Sequence, residues 1–355
     1  QEANIEEVKK EIEQNFEEKR DFEELDAFAG TITSEGLKKL EDNPNVEFVQ
    51  IDHTFSIDLQ NSLSIINATR VHAPPTNITG YGIGVCILDT GLNYNHQDLD
   101  DNYAAGYDYV NDDADPIDDH GHGTHVSGIV QGVAPKVKIL HVKVLNSAGS
   151  GSESDIVSGI TWCITNKDTY NIKSISMSLG AGLYSSYCEA SFPTLAAAIN
   201  NAILNNISVI ASTGNDGSST SISAPACITN ATAVGATDKS DNLASYGNRN
   251  TLLDLLAPGS DINSTSSSGS YTIMSGTSMA APHIAGAIAL IQQSSSENNG
   301  AYLNPSNIES VLKNTAAEIG GYKRVNAYKA AANFDAQTPL LIIDSPKNQL
   351  YSNQN

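Results

Sequence analysis

The sequence predicts an α/β protein in which a mostly parallel central sheet has helices on both faces and is preceded by a small α+β domain. From Tyr81 onward, short apolar runs of strand length alternate with helical patterns, which is the order expected of βαβ units. The 40% hydrophobic content of the 355 residues is enough for a sizeable core. The first 55 residues carry 16 carboxylates against 6 basic groups, and this shift in charge indicates a separate amino-terminal unit.

The amino-terminal unit is predicted to contain two strands and one helix. "AFAGTIT" and "VEFVQID" have the composition of strands, and "SEGLKKLEDNP" between them has a helical pattern. We expect Ser34 to cap this helix, Leu37 and Leu40 to face inward, and Pro44 to end it. The unit is assigned to residues 1–58.

Residues 56–80 show little periodicity and are predicted to form a linker. Beyond it, strands are predicted at "IGVCILD", "VKILHVKVL", "SISMSL", "ISVIAS" and "ATAVGAT", and helices at "DIVSGITWCITN", "LAAAINNAILNN" and "SMAAPHIAGAIALIQQ". Strands this apolar are buried on both faces, as in a parallel sheet, and ligands then bind at their carboxyl ends. The main domain is assigned to residues 59–335, and residues 336–355 to the start of a carboxyl-terminal extension.

Charge and composition exclude several classes of function. A net charge of −22 argues against binding to nucleic acid, which needs basic clusters. No run of about eighteen apolar residues is present, so we expect no membrane span. Five N-x-S/T sequons fit an exported protein, and the four cysteines lack the close paired spacing of zinc or redox motifs. We expect an extracellular or cell-surface monomer.

Three segments could carry chemistry. Asp89 ends the strand in "VCILDTG", His122 lies in "DDHGHGTHVSG", and Ser278 opens the helix that begins in "SGTSMAAPH". A serine hydroxyl becomes a useful nucleophile when an imidazole takes its proton and a buried carboxylate orients that imidazole. Taken singly, Asp89 could be a turn residue and Ser278 a helix cap. Together the three supply every group that a nucleophilic hydrolase needs.

The histidine-rich segment also allows a metal site. His120, His122 and His125 could supply three nitrogen ligands, but the HExxH pattern of zinc hydrolases is absent and no glutamate lies nearby. The glycines favour a helix entrance, with His122 at its start and His125 one turn inside in a structural hydrogen bond. Dinucleotide binding is excluded, because the glycines of "GYGIGV" precede a strand where a phosphate cradle must follow one.

"VCILDTG", "HGTHVSG" and "SGTSMAAPHIAGA" resemble, in this order, the Asp, His and Ser motifs of the subtilisin-like serine proteases, or subtilases. The resemblance runs from about residue 64 to residue 333. It implies a secreted serine endopeptidase that works through an acyl-enzyme. Ser278 would be the nucleophile, His122 the general base and then acid, and Asp89 the group that orients His122. "VIASTGNDG" is similar to the family's oxyanion-hole segment, which implies this role for Asn215.

Two further segments resemble the substrate-binding edges of the family. "VKVLNSAGSGSESDI" is similar to one edge and "MSLG" to the opposite one. The residues so implied are Gly149, Ser150, Gly151, Ser178, Leu179 and Gly180. An extended peptide pairing with both edges takes its affinity from main-chain hydrogen bonds, so broad specificity is expected. The small residues leave room for bulky substrate side chains.

The amino-terminal unit also has a counterpart in the family. "DAFAGTITSEGLKKLEDNPNVEFVQIDH" is similar to the later part of an inhibitory propeptide, without that domain's first strand. The resemblance implies a precursor whose propeptide assists folding and then occupies the cleft as its own partner. Self-cleavage would fall between Phe55 and Ser62. The alternative is a catalytically silent, calcium-binding surface module that kept the fold for its carboxyl-terminal extension.

The segment "YDYVNDDADPIDD" is rich in oxygen ligands suited to a hard cation. Some subtilases bind calcium just before the catalytic histidine, and the spacing suggests Asp108, Asn111, Asp113 and Asp115, with a carbonyl near Ile117. A solvated acidic loop is the alternative. "HVSGIVQGVAP" lacks the insertion that forms the strong calcium site of other members. Calcium would be structural, and catalysis needs no cofactor.

The four cysteines fall into two kinds of sequence environment. Cys188 and Cys227 lie in loop-like sequence on either side of the oxyanion segment, and similar pairs in extracellular subtilases imply a disulfide between them. Cys86 lies in an apolar strand and Cys163 on a helix face, so both are predicted to be buried thiols.

Overall fold

A computed structural model describes residues 5–22, 27–46, 49, 59–74 and 76–333 of the chain. The chain divides into two compact units, Gln1–Ser56 and Ile57–Asn355. Most of the predicted strand "VEFVQID" and all of the segment "TPLLIIDSPKNQLYSNQN" lie outside the described residues.

The smaller unit contains two helices and an antiparallel pair of strands: α1 (Ile5–Ile12), β1 (Phe16–Phe22), β2 (Ala27–Ile32) and α2 (Ser34–Asp42). Val8, Ile12 and Leu40 form its core. The sequence predicted β2 and α2 but neither α1 nor β1. The reason is visible in β1, whose sequence "FEEKRDF" has too many charges to be recognised as a strand.

Helix α2 differs in detail from its prediction. Ser34 is the first helical residue, and the cap is Thr33, whose hydroxyl accepts the backbone N–H of Gly36 at 3.2 Å. A hydroxyl one residue earlier therefore satisfies the free N–H groups of the first turn. Leu40 is buried as expected, whereas Leu37 is only half-buried.

The predicted linker contains two short helices, α3 (Leu59–Ile65) and α4 (Ala68–His72). Leu63, Ile66 and Val71 are buried in the core of the larger unit. The prediction of a linker was wrong for this segment, because helices of five to seven residues are too short to produce a recognisable period.

The rest of the larger unit begins with β3 (Gly84–Asp89) and contains thirteen strands and seven helices among the described residues. The strands that follow are β4 (Tyr103–Asp108), β5 (Lys138–Lys143), β6 (Ile172–Met177), β7 (Ala181–Tyr184), β8 (Ser208–Ser212), β9 (Ile222–Ala224), β10 (Ala231–Thr237), β11 (Leu255–Pro258), β12 (Ile262–Thr265), β13 (Tyr271–Met274), β14 (Ala317–Ile319) and β15 (Tyr322–Arg324). The helices are α5 (His122–Val133), α6 (Glu153–Thr165), α7 (Lys167–Tyr170), α8 (Pro193–Leu204), α9 (Thr277–Asn299), α10 (Pro305–Thr315) and α11 (Ala327–Ala332).

Nine strands form one sheet in the order β14-β15-β11-β10-β8-β6-β3-β5-β4, and all pairs are parallel except β14 with β15. One face is covered by a core that includes α5 and α9, and the other by a core that includes α6 and α8. The predicted α/β fold with helices on both faces is confirmed. The five predicted strands are β3, β5, β6, β8 and β10, all near the middle of the sheet.

All four cysteines are bridged. The Cys188–Cys227 disulfide implied by the resemblance is present, with Cα atoms 5.5 Å apart. The prediction of thiols at Cys86 and Cys163 was wrong, since these residues also form a disulfide, with Cα atoms 6.2 Å apart. The sequence pattern placed both on buried faces but could not show that β3 and α6 present those faces to each other. None of the helices in the described part of the chain is long and apolar enough to cross a membrane.

Candidate active site

Three of the predicted site residues lie at or just beyond the carboxyl ends of neighbouring strands. Asp89 is the last residue of β3, which lies between β5 and β6 in the sheet. Ser178 directly follows β6, and Asn215 lies shortly after β8. Since parallel strands end on the same edge, the fold collects residues from distant parts of the sequence at one place.

His122 is held at the start of α5 by a carboxylate. The preceding residue, Gly121, has no side chain to cap the helix, and Asp118 takes this role. Its carboxylate accepts the backbone N–H groups of His120, Gly121 and Thr124 at 3.0, 2.8 and 2.9 Å. Burial raises the pKa of Asp118, but these hydrogen bonds and that of the Thr124 hydroxyl outweigh burial and leave the pKa below its ordinary value.

His122 and Asp89 form a hydrogen bond of 2.7 Å between Nδ1 and Oδ1. Asp89 is fully buried, and the same oxygen accepts the backbone N–H of Thr90 at 2.8 Å. The Asp89 carboxylate can only accept a hydrogen bond, so Nδ1 of His122 carries the proton. Nε2 is then the free, basic nitrogen. Burial lowers the pKa of His122, but the charge and hydrogen bond of Asp89 and the charge of Asp118 outweigh it and raise the pKa above 6.5.

Ser278 is the second residue of α9. Its hydroxyl donates to the backbone carbonyl of Ser178 at 3.3 Å, and the Ser178 hydroxyl donates back to the carbonyl of Ser278 at 2.7 Å. That carbonyl lacks its helical partner because Pro282, four residues on, has no N–H. Within the described residues no hydrogen bond joins the Ser278 hydroxyl to His122.

Asn215 is oriented by Thr277. Its Oδ1 accepts the backbone N–H of Thr277 at 2.9 Å and the Thr277 hydroxyl at 3.1 Å. These donors settle which end of the amide is oxygen. The Nδ2 group donates to no residue in the described ranges, and it is therefore available to a bound ligand.

A cleft of about 600 Å³ lies beside these residues, and His122 is part of its wall. All six residues implied as substrate-binding line it: Gly149, Ser150, Gly151, Ser178, Leu179 and Gly180. Apolar side chains, including Leu145, Ile156 and Phe192, complete the lining. A pocket with apolar walls and a few polar groups is typical of a substrate site.

The three histidines do not form a metal site. The ring centroids of His120 and His122 are 6.3 Å apart, and His125 points elsewhere. Its Nε2 bonds to the carbonyls of Ile262 and Thr272 at 3.0 and 3.1 Å, which is the structural role expected. Across the described ranges, no three His, Cys, Asp or Glu residues are placed to hold a metal ion.

The four residues suggested as calcium ligands bond to one another within their loop, and the carboxylate of Asp115 also accepts the hydroxyl of Tyr94 at 2.7 Å. Asp108 is buried, and its carboxylate accepts the backbone N–H and the Nδ2 group of Asn111 at 2.9 and 2.8 Å. Asp113 accepts the backbone N–H of Asp115 at 2.8 Å. As placed, Asn111 turns its amide nitrogen and not its oxygen toward Asp108, so the four residues are not arranged as a cation site in this structure. The calcium prediction therefore rests on the resemblance alone.

Sequence reasoning missed residues that support the site. Lys143 is buried and donates to the carbonyls of Thr90 and Leu145 at 2.6 and 2.9 Å and to the carboxylate of Asp119 at 2.7 Å. A lysine within an apolar strand was an available signal, because a buried charge needs partners. Asp118 could have been recognised as an acidic residue just before α5, because the cap residue of that helix, Gly121, has no side chain.

Comparisons with known proteins show the family of the chain. The model of the subtilase family matches residues 80–337. The chain is 36% identical over 319 residues to a thermophilic serine proteinase of Bacillus sp. (strain AK1), covering 83% of this chain and 75% of that protein. It is 36% identical over 288 residues to subtilisin E of Bacillus subtilis (strain 168), covering 77% and 72%.

Two solved structures are also similar to this chain. A cold adapted subtilisin-like serine proteinase matches with a TM-score of 0.62 and 36% identity, covering 70% of this chain and 88% of that chain. A lanthipeptide protease matches with a TM-score of 0.70 and 23% identity, covering 78% and 96%, and at this identity supports the fold alone.

Proposed function

Because the chain belongs to the subtilase family and is a subtilisin-like serine protease, we propose that it is an endopeptidase in which Ser278, His122 and Asp89 form the catalytic triad. One observation carries the proposal. The buried Asp89 holds Nδ1 of His122 at 2.7 Å and leaves Nε2 free, and His122 forms part of the wall of a cleft that is also lined by Gly149–Gly151 and Ser178–Gly180.

The reaction begins when Nε2 of His122 takes the proton of the Ser278 hydroxyl, which has turned away from the Ser178 carbonyl. The serine oxygen attacks the peptide carbonyl carbon, and Asp89 stabilises the imidazolium through Nδ1–H. His122 then gives the proton to the leaving amine, and an acyl-enzyme remains on Ser278. His122 then takes a proton from water, whose oxygen attacks the ester carbon, and it returns that proton to the oxygen of Ser278 as the carboxylic acid product leaves.

Two donors are available for the oxyanion. The backbone N–H of Ser278 lies at the positive end of α9, and Nδ2 of Asn215 has no other partner among the described residues. Donors fixed in advance stabilise the charge that develops in the transition state without reorganisation. Thr277 holds Oδ1 of Asn215 by two hydrogen bonds, so Nδ2 is oriented before the oxyanion forms.

The substrate is proposed to be an extended polypeptide lying between Gly149–Gly151 and Ser178–Gly180. Both segments line the cleft, and their small side chains leave the backbone accessible for pairing. Affinity from main-chain hydrogen bonds gives broad specificity, and the apolar lining favours bulky side chains. A peptide-library profile dominated by charged residues at the cleavage site would contradict this preference.

Residues 1–58 are proposed to act as a propeptide that assists folding and inhibits the enzyme. The independent core of this unit and its separate charge support the proposal. Incubation of the active chain should produce a new amino terminus between Phe55 and Ser62, and Ser278→Ala should not be processed. An amino terminus outside that window would contradict the self-cleavage site.

Extracellular or cell-surface location is proposed from the two disulfides, which persist in oxidising compartments. Structural calcium is proposed from the resemblance only. Its test is thermal unfolding of Ser278→Ala after chelation, with and without added calcium. An unchanged unfolding temperature would contradict calcium binding.

The function is tested by casein cleavage. The wild-type chain should cleave casein, while Ser278→Ala and His122→Ala should lose this activity and keep the folded circular dichroism spectrum. A wild-type chain that is folded, free of residues 1–58 and inactive would favour the alternative of a catalytically silent surface module.

A further inference from the structure

We propose that His141 is a positioning residue of this site, which fixes the backbone of Asp89 relative to that of His122. It does so as a neutral imidazole that bridges the turn after β3 and the first turn of α5. The proposal rests on the proposed function, because it concerns the precision of the same catalytic pair.

The bridge is a continuous series of hydrogen bonds. His141 lies in β5 and is fully buried, and its Nε2 accepts the backbone N–H of Gly91 at 3.2 Å. A backbone N–H can only donate, so Nε2 is unprotonated and the proton is on Nδ1. Nδ1 donates to the hydroxyl of Ser127 at 3.2 Å, and this hydroxyl donates to the carbonyl of Gly123 at 2.8 Å.

The two ends of this series belong to the two catalytic segments. Gly91 is two residues beyond Asp89, and Gly123 directly follows His122. A shift of either segment would stretch a bond to His141. The imidazole is rigid, and it therefore resists a change in the distance between the segments.

Close packing makes the ring a spacer as well as a bridge. A Cβ atom on Gly123 would lie 2.2 Å from the carbonyl oxygen of Gly91 and 2.9 Å from Cε1 of His141. Gly91 itself has a φ of +112°, a conformation that side chains with a Cβ rarely adopt. The segments thus meet backbone to backbone, with the His141 ring filling the space beside them.

The electrostatics favour the neutral ring that the bridge requires. The charged and titratable groups facing His141 are Asp89 at the end of β3, Asp118 before α5, His122 at the start of α5, and Lys143 on β5. Burial lowers the pKa of His141 to about 4 despite the two carboxylates, and Lys143 and His122 lower it further. At neutral pH, Nε2 is therefore available to accept from Gly91.

The test compares His141→Leu with His141→Gln. Leucine removes both hydrogen bonds, and we expect kcat to fall about 10–100-fold with little change in KM, as follows from a small misplacement of catalytic groups. Glutamine supplies a side-chain oxygen for the Gly91 N–H and should recover most of this loss. Rates are divided by the concentration of sites that react with a fluorophosphonate, so that unfolded protein does not count.

A spectroscopic readout separates positioning from general destabilisation. The strongly downfield proton resonance of Nδ1–H on His122 reports its hydrogen bond to Asp89, and it should move or broaden in His141→Leu. The control is Ser294→Ala, a buried helical serine whose hydroxyl donates to the carbonyl of Ala331. This variant should lose stability and keep the wild-type resonance and kcat per reactive site.

Failure of the proposed function and failure of the role of His141 give different results. If the wild-type chain does not react with the fluorophosphonate, the proposed function fails. If the wild type reacts and His141→Leu keeps its kcat and its resonance, only the role of His141 is overturned. Equal losses in the leucine and glutamine variants with an unchanged resonance would also overturn it.

Discussion

Ser178 and Ser278 hold each other by two hydrogen bonds, each hydroxyl donating to the other's backbone carbonyl. The bond from Ser178 Oγ, at 2.7 Å, occupies the carbonyl that Pro282 leaves without a helical donor. The carboxyl end of β6 is thereby joined to the start of α9. The proposed substrate-binding edge and the proposed nucleophile are therefore held together by these two hydrogen bonds.

Replacing Ser178 tests this connection. Ser178→Ala leaves the carbonyl of Ser278 without its donor, and we expect the free energy of unfolding to fall by about 1–3 kcal/mol. Urea unfolding would be measured in the Ser278→Ala background to prevent autolysis. Ser158→Ala is the control, because within the described residues that half-buried helical hydroxyl bonds to the carbonyl of Ser154 alone, and its loss should change stability by less than about 0.5 kcal/mol. Equal effects would contradict the connection.

Asn215→Ala should leave the fold and KM intact and lower kcat about 10²–10³-fold, the range known for an oxyanion-hole donor in subtilisin. The physical reason is that Nδ2 is needed only when the carbonyl oxygen becomes an anion. Asn102→Ala is the matched control, since that buried amide donates to the carbonyls of Pro135 and Val137, away from the site. Wild-type turnover in Asn215→Ala would reject the assignment.

The pH dependence of kcat/KM tests the electrostatics around His122. The general base must be neutral, so activity should fall as the pH drops through the pKa of His122, which lies above 6.5. Asp118→Asn removes one of the charges that raise this pKa, and the acid limb should move to lower pH. The same change weakens the cap of α5 and should cost about 0.5–2 kcal/mol of stability.

Asp119→Asn is the control for this shift. Its exposed carboxylate pairs with Lys143 and is not among the groups that raise the pKa of His122. The acid limb should therefore stay in place. If the acid limb moved by the same amount in both variants, or stayed in place in both, Asp118 would not act on His122 through its charge.

The disulfides should contribute to stability through the loops that they close. Cys188–Cys227 spans 39 residues and Cys86–Cys163 spans 77, and each should stabilise the fold by about 4 kcal/mol through the lost entropy of the unfolded chain. Replacing either pair with alanine in the Ser278→Ala background should lower the free energy of unfolding by about that amount. Peptide mapping that finds free thiols at Cys86 and Cys163 would contradict the second bridge.

The sequence was sufficient for the parts of the fold that depend on local pattern. The central strands are continuous apolar runs because they are buried on both faces, and α6, α8 and α9 have clear periods or small-residue faces. Elements outside this pattern were missed. Strand β1 is highly charged, and α3 and α4 are too short to show a period.

The supporting residues of the site could not be found in the same way. Asp118, His141 and Lys143 act through partners that are distant in sequence, and these partners are decided by strand order. The pairing of Cys86 with Cys163 depends likewise on which helix covers β3. Patterns along a chain identify burial, whereas a contact requires the tertiary arrangement.

If Ser278 is a nucleophile activated by the His122–Asp89 pair, it should react with a fluorophosphonate. Mass spectrometry of the labelled wild-type chain should place one adduct on Ser278, with none in Ser278→Ala and slow labelling in His122→Ala. An adduct on another residue, or undiminished labelling of Ser278→Ala, would contradict the claim.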